Sequence, residues 1–380
     1  MRELHEGIEL LEEERDGGAF IWRNWDKWVD RCEEVICWLD RQILENKQGP
    51  VRSRAEEWKQ RGLICGVEWP IFRKTVNRYR KWLYDQHRGP AGIRQRLVFA
   101  HNDTQYGNLL RLEPSGESPL LLPENSHKQL VVIDFEYASA NVPGLEFANH
   151  FTEWCYDYHD ASKPYALRAN RYPTVEEQYR FLKAYVQHHA PLPPSISASP
   201  VTSSTPGPTS SISSFVLDSR APPAQYAEDE ARREKLAENE IERLRHETRM
   251  WRVANSAQWV AWGIVQAKVP GMNEALEAKK SGTPRPTEPS DLDSPPLHSS
   301  HAQLHSDPLS PEMKELALDA HNKRPVEEEG AQEDGEDEFD YLGYAQERAM
   351  FFWGDVLQLG ITKEEDLPAE LLGKVKVVAY

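Results

Sequence analysis

The chain is poor in cysteine, in net positive charge and in long apolar runs, and each shortage removes a class of protein. Only Cys32, Cys37, Cys65 and Cys155 occur in 380 residues. None forms a Cys-x-x-Cys pair and no His/Cys cluster has zinc spacing, so neither a disulfide scaffold nor a structural zinc site is expected. The four read as reduced thiols of a cytoplasmic protein. The formal net charge is −17 and the pI about 5.3, which argues against nucleic acid or an anionic membrane as the main partner. No segment approaches the roughly 20 apolar residues of a transmembrane helix. The opening MRELHEGIELLEEERDGG is acidic and lacks the apolar core of a secretory signal. Two further features are missing: a Gly-rich loop behind a strand, and a lysine inside a β-branched run.

What is present is helical periodicity, interrupted by polar tracts. Residues 1–45 predict helix, a break at Gly17-Gly18, then helix, with Trp22, Trp25, Trp28, Val29, Cys32, Val35, Ile36, Leu39 and Ile43 at helical spacing. Residues 66–88 predict a second long helix with Phe72, Val76, Tyr79 and Leu83 on one face. LVFA (97–100) reads as a short buried strand, and 108–112 with 130–135 as a hairpin. Helices are predicted over 145–159, 174–189, 226–269 and 338–359. The Ser/Pro/Thr tract and the later Pro/Ser/acidic tract cannot bury enough surface to offset ordering, so both predict disorder. The expected organisation is a first part over 1–190, a disordered linker 191–225, a long helix 226–270, a disordered acidic insertion 271–336, and a terminal helix and tail 337–380. The fold class is α+β, predominantly helical, with one small hairpin.

Two segments carry chemistry: LVFAHNDTQYGNLL (97–110) and LVVIDFEYASAN (130–141). His101, Asp103 and Asn108 keep the His-x-Asp-x-x-x-x-Asn spacing of kinase catalytic loops, and Asp134-Phe135-Glu136 takes the place of Asp-Phe-Gly. Asp103, just after a strand, can take the proton of an attacking hydroxyl. Asn108 and Asp134 offer one amide and one carboxylate oxygen, a donor set that suits Mg²⁺ completed by water and phosphate. The apolar run before Asp134 implies a charge abutting a buried strand, which needs a partner. Glu136 is equally a second metal contact or a surface residue, and His101 a structural residue holding the loop. Each alone is ordinary turn chemistry; their joint spacing is not. Trp259 and Trp262 share a helix face, as do Tyr341 and Tyr344. By spacing alone such stripes are usually core, yet rings near a carboxylate are also what a quaternary ammonium needs.

VFAHNDTQYGNLL, VVIDFEYASAN, FANHFTEWCYDY, RANRYPT, WVAWGIVQAK and FDYLGYAQER occur in one order, and with them the chain resembles the choline/ethanolamine kinase family, nearest to fungal choline kinases. The resemblance covers most of the chain after residue 97, apart from the two polar tracts, and is looser before residue 90. It implies the C-terminal lobe of a protein-kinase-like fold, and ATP- and Mg²⁺-dependent phosphorylation of choline, the first step of the CDP-choline route. It places the base on Asp103, the metal on Asn108 and Asp134, and the choline pocket on Glu153, Tyr158, Trp259, Trp262 and Tyr344. Gln105 is implied as loop support. The family's first lobe, with its phosphate-covering loop, finds no match here, so the expectation is a chain that by itself binds ATP poorly and turns over slowly or not at all. Ethanolamine is the alternative acceptor. A non-catalytic protein that binds choline or pairs with other subunits is the alternative of another class, and a homodimer stays open. An aminoglycoside-type phosphotransferase would share the loop but not the EWCYDY and WGIVQAK segments.

Overall fold

The computed structural model describes residues 1–45, 58–122, 125, 128–188, 223–281 and 339–379. Met1–Glu277 and Phe339–Tyr380 form one compact unit. The expectation of disorder over 191–225 and 271–336 lies almost wholly outside the described residues. At their edges it is corrected: residues from Pro223 and residues Met272–Ser281 are helical.

Helix α1 (Arg2–Gly7), α2 (Glu12–Asp16) and α3 (Phe20–Glu45) open the chain. The single helix expected before Gly17 is therefore two short ones. Leu10, 3% exposed, is drawn into the core between them, and Glu14 accepts the Leu11 N–H at 2.9 Å to start α2. The predicted α3 stripe is buried except for Trp28, which is half-buried against the edge of the core, and α4 (Trp69–Gln86) buries Phe72, Val76, Tyr79 and Leu83. Pro70 opens α4 where no N–H partner is needed. Trp25 stacks on Trp69 at 6.0 Å and Phe72 meets Phe352 at 4.7 Å, closing the larger core cluster.

The remaining helices are α5 (Pro90–Arg94), α6 (Pro143–Glu153), α7 (Val175–Gln187), α8 (Pro223–Gln266), α9 (Met272–Ser281), α10 (Tyr341–Gln358) and α11 (Ala369–Leu372). α8 is the axis of the unit and packs against α3, α4, α6, α7 and α10. Its N-terminal half is charged and laced by near-neighbour pairs such as Arg243–Glu240 and Arg245–Glu242. Its C-terminal half is largely apolar and buried on every face, as a helix inside a core is; Val253, Ala257, Val260 and Ile264 are fully buried there. Arg252 is buried with them because Asp355 on α10 takes its guanidinium on two oxygens. Gly263 lets α8 and α10 close: a Cβ there would lie 3.0 Å from the Tyr341 carbonyl and 3.1 Å from Ala345 Cβ.

Two small antiparallel pairs sit on this body. β1 (Val98–Ala100) pairs with β4 (Ser139–Asn141), and β2 (Leu109–Arg111) pairs with β3 (Leu130–Val132), Leu109 opposite Val132. β4 has no strand signal in Ser-Ala-Asn and is a finding of the structure. β3 is not buried, contrary to the reading of its apolar run. Leu130 is 55% and Ile133 38% exposed. With only two strands and no described element over its outer faces, the hairpin leaves its apolar side chains in solvent.

Candidate active site

The loop after β1 is held from several directions by residues far apart in sequence. Asn102 is in left-handed backbone, φ +67°, which Asn tolerates better than most residues. Its side-chain amide donates to the carbonyls of Ala100 (3.1 Å) and Tyr137 (2.9 Å). Its side-chain oxygen accepts from Asn141 at 2.7 Å, and its carbonyl accepts from Asn149 at 3.1 Å. His101 is wholly buried. Its Nε2 lies 2.9 Å from the Ile133 carbonyl, an acceptor only, so Nε2 carries the proton. Nδ1 then accepts the Asp103 N–H at 3.3 Å. The His101 N–H donates to Glu146, whose same oxygen also meets His5 Nε2 at 2.7 Å. Gln105 accepts the Gly107 N–H at 2.9 Å and starts the short turn that leads to Asn108.

That turn brings Asn108 back onto Asp103. The Asn108 amide nitrogen donates to the Asp103 carboxylate at 3.0 Å and to its carbonyl at 2.9 Å. The Asn108 carbonyl in turn accepts the Ile133 N–H at 3.1 Å, which sets Asp134 at the same end of the hairpin. Asp134 is exposed with φ +66°, and no described residue hydrogen-bonds or ion-pairs with its carboxylate. The buried-strand argument for this residue therefore falls. What distinguishes Asp134 is an unpartnered carboxylate on constrained backbone. Burial pushes Asp103 up to about 7, with the charges of Glu153 and Asp134 adding to it and hydrogen bonds from Asn108 and Asn149 opposing. Glu136 is exposed and makes no contact with Asn108 or Asp134. Among the described residues no group of three or more His, Cys, Asp or Glu could cage a metal. One amide and one free carboxylate suit an ion that keeps water and phosphate for its other positions, as Mg²⁺ does.

The cation side is built by the ends of α6, α8 and α10. Glu153, the last residue of α6, accepts the Tyr158 hydroxyl at 2.7 Å. α6 stops there, short of the predicted residue 159, and the turn that follows lays Tyr156 flat against Tyr158 with centroids 5.4 Å apart. Trp259 and Trp262 meet edge to face at 5.4 Å, and Trp262 meets Tyr344 at 5.7 Å. Asn149 and Asn255 accept the Trp259 indole N–H, and Tyr137 accepts that of Trp262. A cavity of about 280 Å³ opens beside Glu153, lined also by Thr104, Tyr106, Leu109, His150, Trp154, Tyr156 and Arg171 but not by Tyr158, Trp259, Trp262 or Tyr344. Asp103, Asn108, Glu153, Tyr158, Trp259, Trp262 and Tyr344 thus belong to one neighbourhood, with Asp134 at its exposed edge and Glu136 apart. Sequence reasoning missed Asn102, Asn149, Tyr137 and Arg348. Only Arg348 left a trace, one helical turn after Tyr344.

A family model described as choline/ethanolamine kinase matches residues 1–353. The chain belongs to the choline/ethanolamine kinase family. Within that family, the choline kinase of Saccharomyces cerevisiae is 29% identical, over 96% of this chain and 56% of its own length. The ethanolamine kinase of the same yeast is 22% identical, over 97% of this chain and 54% of its own length. A solved Plasmodium vivax ethanolamine kinase is 14% identical, covers 74% of this chain and 57% of that one, and superposes with a TM-score of 0.35. The chain spans about half the length of the curated relatives it matches. As a choline/ethanolamine kinase family member, its described residues form the mostly helical lobe of a protein-kinase-like α+β fold, with a small hairpin beside the loop.

Proposed function

We propose that this chain carries the acceptor and base half of an ATP:choline phosphotransferase, making phosphocholine for the CDP-choline route to phosphatidylcholine. The observation that carries the reading is that Asp103, bonded to Asn108, lies within electrostatic reach of Glu153 and Tyr344 in a carboxylate-and-aromatic box completed by Tyr158, Trp259 and Trp262. A choline hydroxyl directed at Asp103 has an acceptor for its proton as its oxygen attacks the terminal phosphate. The O–H bond breaks to Asp103, the new P–O bond forms, and ADP leaves. A carboxyl group held near 7 is poised for that exchange at neutral pH. Asn108 and Asp134 would hold Mg²⁺, which when bound supplies positive charge to the phosphates. The trimethylammonium end needs no hydrogen-bond acceptor, and rings stabilise it by about 0.5–2 kcal/mol each.

The first test is Asp103→Asn. Turnover of choline should fall by about 10²–10⁴, while choline binding, followed by tryptophan fluorescence, persists. Unchanged turnover in this variant would remove Asp103 from the base role. Ethanolamine phosphorylation is the second reading, favoured by the S. cerevisiae ethanolamine kinase matching nearly the whole chain. A comparison of the two substrates at equal concentration separates them. If the chain binds choline yet phosphorylates neither alcohol in the presence of ATP and Mg²⁺, the binding-protein reading replaces both.

A further inference from the structure

The carboxylate of the cation box is already occupied. Arg348 on α10 is fully buried, and its Nη2 lies 2.5 Å from Glu153 Oε1. Glu153 Oε2 is taken by the Tyr158 hydroxyl. The Arg348 Nε donates to the Tyr344 hydroxyl at 3.1 Å, and the guanidinium lies 4.9 Å from the Tyr156 ring centre and 5.4 Å from that of Tyr344. The cavity reaches Glu153 and Tyr156 but not Arg348, which stands behind that wall. A permanent cation therefore neutralises the carboxylate that a ligand ammonium among the rings of the box would otherwise meet.

Neutralisation affects two ammonium classes unequally. A primary ammonium sheds strong hydration on entry and needs charged acceptors for three N–H bonds. A carboxylate whose charge is compensated and whose two oxygens each already accept a bond replaces that hydration poorly. A quaternary ammonium has no N–H to satisfy and draws its attraction from ring faces. We infer that Arg348 is a specificity-determining positioning residue: by tying down and neutralising Glu153 from behind, it biases the site toward quaternary ammonium alcohols and against primary ones. The inference rests on the proposed cation site but not on phosphoryl transfer.

The test is equilibrium binding of choline and of ethanolamine to the full chain, by calorimetry or tryptophan fluorescence, with thermal melts to check folding. The wild-type chain should prefer choline. Arg348→Met should cut that preference at least tenfold, mainly by improving ethanolamine binding, and Arg348→Lys should restore part of it. Should Arg348→Met fail to fold, the double variant Arg348→Met/Glu153→Gln, which buries no unpaired charge, keeps the question open to measurement. It should still prefer choline. A preference unchanged in folded Arg348→Met, equal weakening of both ligands, or a double variant that favours ethanolamine would each overturn the inference. A wild-type chain that binds ethanolamine as well as choline overturns it while leaving the kinase reading intact. Binding of neither cation overturns the site itself.

Discussion

The loop 101–108 and the hairpin that follows it are continuous in sequence and opposite in construction. In the loop, His101 and Asn102 are buried and bonded to β1, β4, α6 and the residues after β3. In the hairpin, Leu110, Leu130, Val131 and Ile133 face solvent although they are apolar. Asp103 inherits the rigidity and the low polarity of the loop, which is what raises it to about 7. Asp134 inherits the open end of the hairpin, where a carboxylate stays free to meet an ion. A base and a metal-binding carboxylate have different needs, and one strand–loop–hairpin segment answers each with a different degree of burial.

The contrast can be broken by substitution. Asn102→Ala should cost most, about 3 kcal/mol or more in chemical denaturation, since it strands several buried polar groups and adds left-handed strain. Asn102→Gly should recover only the strain, roughly 1 kcal/mol. A loss under 1 kcal/mol for the alanine variant would mean the loop is not anchored as described. Next comes pH. Asp103 acts only when deprotonated, so kcat/KM for choline should rise about fiftyfold from pH 5 to 7, about twofold more above that, and level off near pH 8; a profile flat across this range argues against a base near 7. Glu146→Gln is the third. Burial pushes Glu146 up, but the hydrogen bond and charge of His5 outweigh it and hold the carboxyl below its usual value. Its contribution is thus present above about pH 4.5 and lost as pH falls through the lowered value. The variant should lose about 2 kcal/mol at neutral pH and show a shallower acid limb than wild type in pH-dependent melts. Smallest is the hairpin: Leu130→Ser and Val131→Thr should each change stability by less than about 0.5 kcal/mol. A larger loss would show that some element covers this face.

The α3 and α4 stripes were legible because a helix repeats its buried face within one segment. The spacing of Asp103 and Asn108 was legible because a short turn joins them. The exposure of Leu130 was not, since an apolar run looks the same whether or not anything covers it. β4 was not, because Ser139-Ala140-Asn141 is a strand only through its pairing with β1. Arg348 was the hardest case. A single arginine on a helix reads as a solvated residue, and its burial depends on a carboxylate 195 positions earlier.

That distance has a consequence in time. The Glu153–Arg348 bond closes a loop of 195 positions, and Trp353 reaches back further, 288 positions, to the Cys65 carbonyl. The cost of such closures grows only slowly with length, but they must wait for the sequence that closes them. On the ribosome, the loop bearing Asp103 emerges directly after β1 and with its β4 and α6 partners close behind it, whereas the box beside Glu153 stays open until α10 has been synthesised. The site that would select the alcohol is therefore completed later than the loop that would hold the base.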